Sequence, residues 1–338
     1  MNVESLAEVA RGLTPVGKGI LAADESSGTI EKRFNTIGVI STEENRRAYR
    51  ELLFTAPGME RYISGVILFD ETIKQSTRGG VLFPDLLTQK GVKPGIKVDQ
   101  GLEPLGENGE KVTKGLEGLP ERLAEYAALG AVFTKWRAVI NIGNGAPTDA
   151  AIARNAEGLA KYAAFSQAAG LVPIVEPEVL MDGDHSIKMC REVSIATLTK
   201  VFASLKDHDV DLSGMLLKPS MVLPGKNSPD QVDDEEIARQ TIEVLLATVP
   251  RSVPGIVFLS GGQNPQEATR RLNAMNRMFR DKVPWQLSFS YGRALQEPVL
   301  RAWVGKPENV IAAQKAFIKR AWLNSSARFG MYKPGMEG

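Results

Sequence analysis

Eight short apolar runs punctuate the chain, at residues 19–23, 64–69, 95–98, 131–136, 171–175, 214–217, 255–259 and 285–289. They are rich in β-branched side chains and apolar at consecutive rather than alternate positions. That pattern marks strands buried on both faces, as in a parallel sheet sheathed by helices. The runs start at intervals of roughly 30 to 45 residues, room enough for strand, loop, helix and loop.

Helical periodicity fills most of the gaps. Residues 43–55, 120–129, 148–169, 186–205, 233–248 and 265–280 place apolar side chains three and four apart with charges between them. Several start on recognisable signals: Ser41-Thr42-Glu43-Glu44, Pro147-Thr148-Asp149 and Asn264-Pro265-Gln266-Glu267. Eight strands alternating with helices, with no low-complexity linker between them, predict an α/β fold. We expect a single (β/α)8 TIM barrel over about residues 19–305, with additional outer helices at the N- and C-termini. Residues 306–338 form the C-terminal helix and tail, and the whole chain is one domain. An open doubly wound sheet would call for a glycine fingerprint after the first strand, and Leu21-Ala22-Ala23-Asp24-Glu25-Ser26 contains none.

Composition narrows the function. With 43% hydrophobic residues the chain can bury a sizeable core, and 41 basic residues stand against 40 acidic ones. That balance argues against nucleic-acid or membrane-surface partners, and no apolar run reaches the length of a membrane span. Met1–Lys18, with Glu4 and Glu8, fits neither a signal nor a transit peptide, so a cytoplasmic protein is expected. The lone cysteine, Cys190, excludes an internal disulfide and reads as a buried structural residue. Two histidines, His185 and His208, are too few for the common histidine-rich zinc sites. Met181-Asp182-Gly183-Asp184-His185 reads as a solvated turn opening the next helix, and no metal is expected.

Chemistry in this fold sits at the carboxyl ends of the strands. Those ends supply Asp24, Asp70, Lys97 with Asp99, Lys135 with Arg137, Glu176 with Glu178, Lys218, Ser260-Gly261-Gly262, and Ser290 with Gly292-Arg293. So many charges converging on one rim exceed what closing ion pairs require, although Asp70, Asp99 and Glu178 are individually compatible with a structural role. Lys218 leaves an apolar strand, Met215-Leu216-Leu217, directly before Pro219. Burial disfavours its charged form. A second lysine such as Lys135 at about 6 Å would add about 3 kcal/mol of repulsion at an effective dielectric of about 20. An amine moved toward neutrality this way attacks carbonyls, and its iminium is the electron sink this sequence can build. The glycines and hydroxyl of Ser260-Gly261-Gly262, beside Arg293, form a candidate phosphate site where this fold commonly holds phosphate. Ser26, Thr29, Lys97 and Arg137 form a second candidate anion site. Two anion sites around a lysine pair imply a substrate phosphorylated at both ends.

At these residues the chain resembles the class I fructose-1,6-bisphosphate aldolases, over about residues 12–327. The carrying motifs are Gly19-Ile20-Leu21-Ala22-Ala23-Asp24-Glu25-Ser26, Gly95-Ile96-Lys97-Val98-Asp99, Lys135-Trp136-Arg137, Val175-Glu176-Pro177-Glu178, Leu216-Leu217-Lys218-Pro219, Leu259-Ser260-Gly261-Gly262-Gln263 and Ser290-Tyr291-Gly292-Arg293-Ala294-Leu295. The resemblance implies that Lys218 forms the Schiff base, that Glu176 is acid and base in carbinolamine dehydration, that Asp24 takes the proton from the C4 hydroxyl, and that Lys135 positions the substrate hydroxyls and keeps Lys218 neutral. Ser260, Gly261, Gly292 and Arg293 would hold the 1-phosphate, with Gly262 and Ser290 also among the substrate- or phosphate-binding residues. Ser26, Thr29, Lys97 and Arg137 would lie toward the 6-phosphate, with Lys32 and Arg33 nearby, and Glu178 would also belong to the substrate site. It also implies glycolysis and gluconeogenesis, sugar phosphates as substrates, no cofactor or metal, and a homotetramer. Thr29 stands where animal members carry serine, which keeps the hydroxyl. Many eukaryotic members end in a tail whose last tyrosine exchanges a proton on the enamine. Here the last tyrosine, Tyr332, is not terminal, so either a tail has been removed or the enamine is protonated by another route. Another Schiff-base barrel, active on a monophosphate, and a non-catalytic barrel scaffold are the competing readings; seven-carbon bisphosphates would fit the same site.

Overall fold

The computed structural model describes residues 4–106 and 108–338; the first three residues of the N-terminal segment considered for targeting lie outside it. Ten strands are present among the described residues: β1 (Gly19–Ala22), β2 (Ile63–Leu68), β3 (Lys93–Lys97), β4 (Leu102–Leu105), β5 (Glu110–Thr113), β6 (Phe133–Ile140), β7 (Val172–Val179), β8 (Leu216–Leu217), β9 (Gly255–Phe258) and β10 (Gln286–Tyr291). Eight of them close into a parallel barrel in the order β1-β10-β9-β8-β7-β6-β3-β2. All eight apolar runs became barrel strands. β4 and β5 form a separate antiparallel hairpin inserted between β3 and β6.

The doubly apolar pattern has a direct structural cause. One face of each strand meets the helices outside, where Trp136, Val175 and Leu217 are buried. The other face fills the barrel with Ile20, Ile67, Phe133, Val172, Ile174, Leu216 and Val257. The helix Leu6–Leu13 joins that interior layer through Val9, Ala10 and Leu13, so the N-terminal helix plugs the lower mouth of the barrel. Its Ser5–Glu8 capping box fixes where it starts. At the other end of the chain, the helix Val310–Arg328 packs against Pro265–Phe279 and Arg293–Trp303. Arg328 ties it to the lower mouth by donating to the Pro15 carbonyl at 2.7 Å and to Gln286 at 2.9 Å.

Alternation along a strand explains where the charges go. Residues two apart share a face. Above Phe133 in β6 therefore come Lys135 and Arg137, and above Ile174 in β7 come Glu176 and Glu178. Above Ile20 comes Asp24, just past the end of β1, and above Leu216 comes Lys218, just past the end of β8. The interior is apolar below and ionic on top. β6 and β7 also run further than their apolar runs suggest, because charged side chains continue the inward face.

Candidate active site

Four ionisable side chains at the top of the barrel form a chain of contacts. The Lys135 ammonium lies 2.7 Å from Asp24 Oδ2 and 3.1 Å from Glu176 Oε2, and the Lys218 ammonium lies 3.2 Å from Glu176 Oε1. The lysines and Glu176 are only 4–5% exposed along their side chains, and Asp24 12%. Isolated charges this deep would be expelled or neutralised; here two acids and two bases alternate.

Electrostatics follow from that arrangement. Burial pushes the Asp24 carboxyl up, but Lys135, Lys218 and Lys97 together outweigh it and hold it well below the usual carboxylate range. Burial likewise opposes ionisation of Glu176, yet Lys135, Lys218 and Arg137 pull its pKa down. For Lys135, burial favours the neutral amine, and Asp24, Glu176 and Asp99 reverse that and keep it an ammonium. Asp24 and Glu176 are therefore carboxylates at neutral pH. Glu176 Oε2 is buried and, among the described residues, faces the Lys135 ammonium at 3.1 Å without a formal hydrogen bond.

The other candidates gather around this core. Ser26, Thr29, Lys97 and Arg137 line one cleft of about 750 Å³, which also includes Asp70 and Tyr126 at its rim. Ser26 caps the helix Ser27–Asn35 by position, but its hydroxyl meets Thr29 Oγ1 at 3.1 Å instead of the backbone. Lys97 is paired with Asp99 at 2.6 Å, and Arg137 is paired with Glu178. Asp70 is engaged by Lys74 at 2.7 Å and by the Tyr126 hydroxyl at 2.8 Å, a structural role. The β9 turn carries Ser260, Gly261 and Gly262, the two glycines at φ +27° and +85°, where a side chain would be strained. A Cβ on Gly261 would also meet Leu259 at 2.5 Å. The Ser290 hydroxyl, on β10, is buried without a hydrogen-bond partner among the described residues. Gly292 and Arg293 open the helix Arg293–Trp303, with Arg293 exposed at the rim.

Some of the arrangement departs from expectation. The repulsion argument treated Lys218 and Lys135 as a bare pair, and the structure puts a carboxylate between them. Arg33, expected beside the 6-phosphate residues, turns toward Gly292, its Nη2 lying 3.6 Å from where a Cβ there would sit. His185 is buried rather than solvated. Glu25, named only as part of a motif, has a role the sequence did not suggest. It is buried, it pairs with Arg33 and with Arg50 at 2.7 Å, and it accepts from Gln296 at 2.8 Å, which fixes the segment carrying Asp24. The available signal was an arginine, Arg50, on the apolar face of the helix Glu43–Phe54.

Comparison with known proteins shows which family the chain resembles. The family model for fructose-bisphosphate aldolase class I matches residues 5–338. A cytosolic fructose-bisphosphate aldolase 4 of Arabidopsis thaliana is 56% identical over 331 residues, covering 98% of this chain and 84% of the relative. A probable class 1 fructose-bisphosphate aldolase of Xylella fastidiosa is 52% identical over 335 residues, covering 98% of this chain and 100% of the relative. Among solved structures, fructose-bisphosphate aldolase from Plasmodium falciparum, in a ternary co-crystal with TRAP and a small-molecule inhibitor, superposes with a TM-score of 0.96 at 48% identity, covering 98% of this chain and 95% of that one.

Proposed function

The chain belongs to the class I fructose-bisphosphate aldolase family, and on that premise we propose that Lys218 is its Schiff-base lysine, served by Glu176, Asp24 and Lys135. The protein is a carbon–carbon lyase that reversibly cleaves fructose 1,6-bisphosphate to dihydroxyacetone phosphate and glyceraldehyde 3-phosphate, and enzymes of this class use a lysine Schiff base and no metal. The observation that carries the residue assignment is the buried run of contacts from Asp24 through Lys135 and Glu176 to Lys218.

The proposed course uses each group once in each direction. Glu176, ionised and in contact with the Lys218 ammonium, takes its proton, and the neutral amine adds to the C2 ketone. Glu176 then returns the proton to the C2 hydroxyl, which leaves as water and generates the iminium. The Asp24 carboxylate takes the proton of the C4 hydroxyl. The C3–C4 bonding pair flows into the iminium to give an enamine, and glyceraldehyde 3-phosphate departs. A proton adds at C3, balanced by loss to solvent of the proton Asp24 took up, and hydrolysis of the iminium releases dihydroxyacetone phosphate and restores the amine. Lys135 keeps both carboxylates ionised before each takes a proton and, with its remaining donors, orients the substrate hydroxyls.

Two anion sites complete the reading. Ser260, Gly261, Gly262, Ser290, Gly292 and Arg293 take the 1-phosphate; Ser26, Thr29, Lys97 and Arg137 take the 6-phosphate, with Glu178 orienting Arg137. The orphaned Ser290 hydroxyl and the strained glycine turn support the first assignment, and the shared cleft supports the second. We further read the chain as one catalytic domain that works as a homotetramer in glycolysis and gluconeogenesis, and place it in the cytosol in line with relatives named as cytosolic. The test compares turnover of fructose 1,6-bisphosphate and fructose 1-phosphate by the parent and by Lys218→Met, with and without a chelator. The reading predicts a preference for the bisphosphate, insensitivity to chelator, and loss of cleavage in the variant. Substantial turnover by Lys218→Met would remove that lysine from its role.

A further inference from the structure

The loop after Lys218 carries a cation that the mechanism above does not use. Residues 219–233 are tied to the segment following β7 by three backbone hydrogen bonds: Gly225 N–H to His185 O at 2.8 Å, Lys226 N–H to Met181 O at 2.9 Å, and Asn227 N–H to Gly183 O at 2.9 Å. The approach is close enough that a Cβ on Gly225 would lie 2.5 Å from the Gly183 carbonyl oxygen. With its backbone fixed in this way, Lys226 reaches across to the β9 turn. Its Cε lies 3.0 Å, and its Nζ 3.4 Å, from the point a Cβ on Gly262 would occupy. Among the described residues its ion pair is with Asp182 at 2.8 Å, and the two side chains are 44% and 69% exposed. A pair this exposed contributes little to stability, so it is readily exchanged. A phosphate dianion in the glycine turn offers the same ammonium stronger, charge-assisted bonds.

We propose that Lys226 is a further phosphate-positioning residue, whose ammonium exchanges Asp182 for the phosphate of the substrate when that group enters the Ser260–Gly262 turn. β9 stands between β8 and β10 in the barrel, so Lys226 and Arg293 approach the turn from its two flanks. Together they match the charge of a dianion that Arg293 alone would half neutralise. The proposal rests on the reading of this turn as the 1-phosphate site.

Steady-state kinetics with fructose 1,6-bisphosphate on Lys226→Met, Lys226→Arg, Asp182→Asn and Arg293→Ala test it. Removing one partly exposed charged hydrogen bond should raise KM about 5- to 20-fold in Lys226→Met, with kcat within about twofold of the parent. Lys226→Arg should bring KM back to within about twofold. Asp182→Asn, which breaks the resting ion pair but keeps the ammonium, should leave KM no higher than the parent's. An unchanged KM in Lys226→Met alongside a raised KM in Arg293→Ala would overturn the proposal and leave the phosphate site standing. A rise in Asp182→Asn equal to that in Lys226→Met would show that the ion pair only braces the loop, and would also overturn it. If neither Lys226→Met nor Arg293→Ala changes KM, the phosphate reading fails and the proposal goes with it.

Discussion

At the scale of single residues the site depends on Lys135 as much as on the nucleophile. Lys135 contacts both carboxylates, and its charge is the main force opposing the effect of burial on each. Replacing it with methionine leaves two buried acids facing each other with less compensation. Removing one partner of a buried ionic network costs about 3–5 kcal/mol, so the urea midpoint of Lys135→Met at pH 7 should fall accordingly. The acid limb of its kcat profile should also move to higher pH, because both carboxylates lose the cation that lowered them. A variant that is merely unstable would leave that limb in place. Asp24→Asn separates the steps differently: cleavage should fall by about 100-fold or more, while Schiff-base formation with dihydroxyacetone phosphate, measured by borohydride inactivation, should persist. Loss of both in a folded variant would contradict the role given to Asp24. The residues in these arguments were legible because charges at the ends of apolar runs are expensive and therefore informative. Glu25 was not, since its partners Arg33, Arg50 and Gln296 come from three different parts of the chain. Apart from Arg50 on an apolar helix face, nothing local marks such a convergence.

At the scale of elements, the barrel strands were readable from their apolar runs and the hairpin was not. β4 is short and largely exposed, with Pro104 interrupting its alternation, and β5 is short and buries the polar Glu110 and Thr113, so neither shows an apolar buried-strand pattern; Asn108-Gly109 hints at a turn. The plugging role of the helix Leu6–Leu13 was hidden for a different reason. Its amphipathic pattern says that one side is buried but not where, and the lower mouth of the barrel is defined only once eight strands have closed. Leu13 is fully buried in the interior layer. Leu13→Ala should therefore cost about 2–5 kcal/mol, the range for a truncated core leucine, while KM and kcat of the folded fraction stay near the parent's. A loss below 1 kcal/mol, from chemical denaturation, would show that the helix is not packed as described.

The charge pattern of the whole molecule sets its response to pH. Asp24, Glu25 and Glu176 have folded pKa values below their unfolded ones, in each case because neighbouring cations outweigh burial. Their stabilisation is complete above the unfolded carboxylate range near 4 and is lost as pH falls through the lower folded values. Lys135 is shifted the other way, burial being outweighed by Asp24 and Glu176. Its contribution is complete below the unfolded lysine value near 10.4 and fades as pH rises beyond it. Burial also lowers the His185 pKa and raises that of the Cys190 thiol, so their contributions fade below about pH 6.5 and above about pH 8.5. Chemical denaturation should thus give a plateau from about pH 7 to about pH 8, falling on both sides; a stability maximum outside that window would contradict this assignment of charges. The central claim for the whole molecule is that one buried amine among these groups condenses with a ketone. Borohydride reduction in the presence of dihydroxyacetone phosphate, followed by peptide mapping, tests it most directly. The account predicts one reduced triose phosphate per chain, on Lys218, with loss of activity in proportion. Label on another lysine, or full activity retained after complete labelling of Lys218, would contradict it.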